Sequence, residues 1–225
     1  MTTQGKRYNN NDCEIIINES IIDCVSNTKF LGIILDDKLT LKMHINHIYN
    51  KVSKGIGIFL KARKVLGIES LITLYNTLIK PYFNYCIIIW GNTCKTFLKK
   101  LETLQKKILR ILTFSDFNAH TRPLFRRLKI MTLSEMYNYF SGIHIYKCIN
   151  HLLPPLFWDD FVLSKNASRN SHNLKSVYHS KKICETSLRF SGPKKWNEYP
   201  VHIKCAKSIQ SFKYNMKKLI NKAPG

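Results

Sequence analysis

Across 225 residues the chain carries 36 Lys and Arg against 14 Asp and Glu, a formal net charge of +22 at pH 7. Hydrophobic residues make up 44%, which excludes an intrinsically disordered chain and is enough for one good-sized domain or two small ones. A positive excess this large repels itself unless a polyanion neutralises it. Nucleic acid, whose phosphates release condensed counterions on contact, is the first class of partner, and an anionic membrane surface the second.

The seven cysteines (Cys13, Cys24, Cys86, Cys94, Cys148, Cys184 and Cys205) are scattered, and no two have the close spacing of a zinc site. A disulfide framework is not expected with an ordinary core, so the chain reads as intracellular, of the nucleus or cytoplasm. The opening MTTQGKRYNNND lacks the apolar stretch of a signal peptide. The longest apolar run, YFNYCIIIW (82–90), is far short of the ~20 residues that span a bilayer, so no membrane partner is expected.

In chain order, a polar, Asn-rich opening precedes three short segments, EIIIN (14–18), IIDCV (21–25) and KFLGIIL (29–35). Ile and Val dominate them and Asn, Ser and Asp punctuate them, which predicts a small antiparallel meander. The one later candidate for a strand is 183–191. From Leu39 the period turns helical: Leu41, Ile45, Ile48, Val52, Ile56 and Phe59 recur at spacings of three and four, predicting a helix over 40–64 closed by Gly67. A second helix is predicted over 69–80, ended or kinked by Pro81, and a third from a cap at Thr93 to about Thr113. A fourth starts at Thr132, which forms a capping box with Glu135, and reaches about Asn150. Pro154 and Pro155 then break the chain, and a last helix is predicted around 208–220. The expected fold class is α+β: a short antiparallel β meander (1–37), a mainly helical bundle (38–153) and a less regular C-terminal extension (154–225).

The third helix carries the clearest chemical pattern. In FLKKLETLQKKILRIL (97–112), an advance of ~100° per residue gathers Leu98, Leu101, Leu104, Ile108, Ile111 and Leu112 on one arc. Lys95, Lys99, Lys100, Lys106, Lys107 and Arg110 gather on the other, interrupted only by Glu102. A solvated face usually mixes its signs, so this ridge points to contact with a phosphate backbone, without sequence readout. Lys51, Lys54, Lys61, Arg63 and Lys64 form a second basic cluster, and Arg126, Arg127 and Lys129 a third. The residues assigned to nucleic-acid contact are Lys51, Lys54, Lys99, Lys100, Lys106, Lys107 and Arg110.

Other constellations are weaker. Asp36 and Asp37 follow a strand-like run, where two-metal enzymes place paired carboxylates, but no third carboxylate stands in a matching setting. A turn before a helix explains them better. His44 and His47 share a helix face without a completing ligand, and the aromatics around Pro81 sit inside apolar runs that suit a core. Gly55 and Gly57 match no phosphate-binding fingerprint. No catalytic residue and no metal ligand is therefore assigned.

The chain resembles the region downstream of the catalytic centre in reverse transcriptases of non-LTR (LINE-like, jockey-like) retrotransposons. The resemblance rests on an ordered series: TKFLGIILDDKLTLKMHI, KVSKGIGIFLKARKVL, LYNTLIKPYFNYCIIIWGNT, LQKKILRIL, AHTRPLFRRLKI, LPPLF, SGPKKWNEYP and SFKYNMKKLI. It covers about residues 13–220. The resemblance implies that the FLG segment closes the polymerase palm and that the following helices form a thumb-like domain gripping RNA and DNA as a template–primer hybrid. It also implies that the part beyond AHTRPLF is a C-terminal extension. The family's Tyr-x-Asp-Asp motif is missing, which implies a fragment inactive alone: no cofactor in this chain, though the parent polymerase would use Mg²⁺. The alternative is a degenerate retroelement remnant serving only as a structural or protein-interaction module.

Overall fold

In the computed structural model, residues 15–17, 20–23, 25–164, 172–178 and 182–222 are described. The Asn-rich opening and most of the polar stretch after Ser164 lie outside them. The described chain begins with β1 (Ile15–Ile17) paired antiparallel to β2 (Ser20–Ile22), then β3 (Asn27–Phe30) paired antiparallel to β4 (Ile33–Asp36). The two pairs form separate two-stranded sheets. Segment 29–35 is thus a hairpin and not the single strand expected from its composition. Phe30 lies opposite Ile33, leaving Leu31 and Gly32 as a two-residue turn. Both take positive φ, 45° and 83°, the backbone that a type I′ turn demands. The leucine disguised that turn, because its side chain reads as strand and pays for the left-handed backbone.

Asparagine tolerates this conformation better, so Leu31→Asn is expected to raise stability by about 0.5–1 kcal/mol. Leu31 is 74% exposed, and its only described bond uses the backbone carbonyl, which accepts from the Tyr85 hydroxyl. The measurement is the urea midpoint at unchanged slope. A lower midpoint would contradict the turn assignment.

Ten helices follow among the described residues: α1 (Lys42–Ala62), α2 (Ile68–Leu78), α3 (Lys80–Asn84), α4 (Ile87–Trp90), α5 (Lys95–Leu112), α6 (Thr121–Leu128), α7 (Leu133–Ile149), α8 (Leu188–Asn197), α9 (Val201–Lys204) and α10 (Ile209–Lys222). Short 3-10 turns occupy Pro155–Asp160 and Lys182–Thr186. The β-then-helical order is as expected, with three local corrections. Gly67 does not close α1, which ends at Ala62 with Arg63 as the capping residue; Gly67 has extended backbone and precedes α2. Thr93 does not cap α5, because its hydroxyl donates to the Thr40 carbonyl at 2.8 Å. Residues 183–191 are helical rather than strand-like. There α8 tolerates Pro193 in its interior, and at Gly192 an added Cβ would stand 3.0 Å from Phe161 Cε1 and 3.1 Å from Ile145 Cδ1.

The capping box of α7 is formed as predicted. Thr132 Oγ1 accepts from the Glu135 N–H at 3.2 Å, and Glu135 Oε2 accepts from the Thr132 N–H at 2.8 Å. This helix is buried around much of its circumference, so it is the central element. Its first turns close a core with α1, α2, α3, α4 and α5, built on Phe59, Tyr75, Phe83, Trp90 and Ile108. Its later turns close a second core with α8, α9 and α10, built on Tyr146, Trp196, Phe212 and Met216. The motif SGPKKWNEYP acts here: Trp196 Nε1 donates to the His172 carbonyl at 2.9 Å, and the Asn197 amide pairs with both backbone groups of Leu174. Lys204 adds a bond to Asn173 Oδ1 at 2.8 Å. Asn197 thereby serves the backbone of Leu174, while its neighbours pair antiparallel with 162–164: the Ser164 N–H donates to the Asn173 carbonyl at 2.8 Å and the Lys175 N–H to the Val162 carbonyl at 2.9 Å.

Candidate nucleic-acid interface

Helix α5 is amphipathic in three dimensions as in sequence. Leu101, Leu104, Ile108, Ile111 and Leu112 of the arc read from the period are buried, with Leu109 added, while Leu98 is only half-buried. Leu109 forms a small cluster with Leu124 and Phe125 of α6. Gln105 is also buried, at 1% exposure, and sequence reasoning missed it. Its amide donates to the Tyr75 hydroxyl at 3.0 Å and to the Met131 carbonyl at 2.9 Å. Nothing local marks such a residue, because its partners lie 26 and 30 positions away. On the opposite side Lys99, Lys100, Lys106 and Lys107 are exposed, and none has a carboxylate partner among the described residues. Seven residues of helix advance ~10 Å, so Lys99 and Lys106 stand in one row and Lys100 and Lys107 in another.

The remaining assigned cations have more varied surroundings. Arg110 is half-buried; its Nε donates to the Ala119 carbonyl at 3.0 Å and its guanidinium lies 5.9 Å from the Phe117 ring. It therefore tethers the loop after α5. Lys51 and Lys54 are exposed on α1, whose buried face includes Ile48, Val52 and Ile56 and which packs against α5 more extensively than any other pair of elements. In the third basic cluster, Arg126 turns inward. Its Nη2 lies 3.2 Å from Glu135 Oε1 and its Nη1 donates to the Ile220 carbonyl. Arg126 joins α6, the cap of α7 and the end of α10, and is not part of an open groove.

The paired aspartates are a turn. Asp36 Oδ1 accepts from the Thr40 N–H at 2.9 Å, and Oδ2 accepts from the Leu41 N–H at 2.7 Å and the Thr40 hydroxyl at 3.2 Å. Partial burial works against the charge, but these bonds outweigh it and hold the carboxyl below its ordinary range. They also hold Leu39 and Leu41 in left-handed backbone, φ 49° and 58°, at the entry to α1. Among the described residues no group of three His, Cys, Asp or Glu could hold a metal ion.

His44 is buried at 3% exposure. Its Nδ1 accepts from the Ile34 N–H at 3.5 Å, its ring meets Trp90 edge-on at 6.2 Å, and its Nε2 has no partner among the described residues. Burial, with a smaller push from His47, lowers its pKa to about 4. Above the unfolded value of ~6.5 neither state is protonated; below it the unfolded chain takes up a proton that the folded one refuses. Stability is expected to fall as pH drops from ~6.5 towards ~4, by up to about 3 kcal/mol from this group. Denaturant midpoints of the native chain and His44→Gln at pH 7, 5.5 and 4.5 check this: the gap should narrow with acid, and parallel curves would contradict it.

The described residues define an α+β chain with a helix that is lysine-rich on its exposed side, and its relatives are polymerases of mobile elements. Over 118 residues, 51% of this chain, it is 30% identical to the probable RNA-directed DNA polymerase from transposon X-element of Drosophila melanogaster. It is 29% identical over 128 residues to the RNA-directed DNA polymerase from mobile element jockey of Drosophila funebris, and 31% identical over 111 residues to that of Drosophila melanogaster. The chain spans 13%, 14% and 12% of these proteins, respectively. Over about half its length it is thus similar to non-LTR retrotransposon reverse transcriptases. No protein-family model matches it, and no solved structure gives a significant match. Among the described residues no helix is long and apolar enough to cross a membrane.

Proposed function

We propose that this chain is a template–primer-binding part of a non-LTR retrotransposon reverse transcriptase, holding an RNA–DNA hybrid by its phosphates while the catalytic carboxylates and Mg²⁺ belong elsewhere in the parent polymerase. The observation that carries the reading is α5: one side is fixed in a core, and the other presents Lys99, Lys100, Lys106 and Lys107 to solvent without acidic partners among the described residues. Lys51 and Lys54 of the adjoining α1, and the free edge of Arg110, extend the contact. Residues 38–153 serve as the thumb-like domain, with 1–37 as the palm end and 154–225 as the extension. In support of a non-catalytic role, both Asp36 oxygens are already engaged by the turn that they organise.

The test is filter binding of an RNA–DNA hybrid to the chain across a salt series, with primer extension in Mg²⁺ alongside. Affinity that falls steeply with salt, without DNA synthesis, is expected. Absent or salt-independent binding would leave a structural or protein-interaction module, and synthesis by this chain alone would overturn the non-catalytic assignment.

A further inference from the structure

A cleft of about 480 Å³ opens where the two cores meet, between α2, α3, the α6–α7 connection and α10. Its lining is unusual in three respects. The charged groups are Lys80, Lys129 and Lys217, all exposed, with no carboxylate among the lining residues. Its amides are Asn76, Asn84 and Asn221, of which Asn76 and Asn221 are exposed and can each donate and accept. Its floor is apolar and aromatic, with the Tyr139 and Phe140 rings edge-to-face at 5.4 Å and the Lys217 ammonium 5.9 Å from the Tyr139 ring.

Three cations without an anion ask for a negatively charged ligand. An inorganic anion would leave the aromatic floor and the exposed amides unused. A planar, N–H-bearing ring joined to a phosphate uses all three. The size lies within the range of small-molecule sites, which favour junctions between packed units. We infer that this cleft binds a nucleoside monophosphate unit: the lysines hold the phosphate, the Asn76 and Asn221 amides meet the polar edge of the base, and Tyr139 and Phe140 offer the ring an apolar seat. The unit has two possible sources, a free nucleotide or an unpaired nucleotide of a bound strand. The site lies apart from the α5 ridge and does not rest on the function proposed for it.

The test is isothermal titration of the full chain with adenosine 5′-monophosphate, with inorganic phosphate, and with a short single-stranded oligoadenylate. The nucleotide should bind at least tenfold more tightly than phosphate. Lys80→Gln, Lys129→Gln and Lys217→Gln combined should weaken it at least tenfold, and so should the charge-conserving blockade Asn76→Trp at an exposed helical position. Glutamine at the four α5 lysines should leave nucleotide binding unchanged, so failure here is distinguishable from failure of the interface on α5. Competition by the oligoadenylate would support the site and assign it to a strand; its absence, with nucleotide binding intact, would assign it to free nucleotide. No nucleotide binding, an affinity equal to that of phosphate, or indifference to both cleft variants would overturn the inference.

Discussion

Glutamine in place of Lys99, Lys100, Lys106 and Lys107 together is expected to flatten the salt dependence of hybrid binding more than any other surface change in this chain. Each neutralised phosphate contributes about 0.9 to the slope of log K against log salt, so four contacts contribute at most ~3.6. Between 50 and 200 mM salt, that share of the affinity loss is roughly 10²-fold, and the variant should lack it. The four side chains are exposed and make no described bond that holds the fold, so the variant should melt as the native chain does. Glutamine has a helix propensity close to that of lysine and stays polar without the charge. An unchanged slope with intact folding would remove α5 from the interface.

The second large effect concerns packing. Alanine at Gly91 would place a methyl 2.6 Å from the Ile87 carbonyl oxygen and 2.7 Å from Tyr137 Cδ2. The first neighbour is helix backbone and cannot swing aside. Gly91 also sits in a knot of contacts: Trp90 Nε1 donates to the Tyr85 carbonyl, Asn92 Nδ2 to the Glu185 and Thr186 carbonyls, and Thr93 to Thr40. Gly91→Ala is expected to cost about 2–3 kcal/mol, with loss of several degrees in Tm. Gly57, exposed within α1 with open space around it, supplies the opposite sign. Gly57→Ala should stabilise by about 0.5–1 kcal/mol. Thermal melts of the two variants decide the matter, and a shared sign would contradict it.

These cases show which features the chain revealed before its structure was known. The faces of α1 and α5 were legible because a 3.6-residue period repeats for several turns. The cap of α7 was legible because both halves of its box lie within four residues. The hairpin at Leu31 and Gly32 was not, since one of its two left-handed residues is an apolar one that favours the opposite reading. Short α6, α8 and α9 escaped because four to ten residues hold too few turns to show a period. At the candidate interface the lysines of α5 could be placed by angle alone. The fates of Arg126 and Gln105 could not, because each is decided by a partner brought near only by folding.

Arg126 has a mechanical consequence. Its guanidinium is a tie between the carboxylate that caps α7 and the last turns of α10, and α6, which carries it, leans on α5 through Leu124, Phe125 and Leu109. A pull on the end of α10 therefore has a load path to the back of the lysine-bearing helix, running through one side chain. Cutting that path by Arg126→Leu would loosen the brace behind α5 without touching a single exposed charge on it.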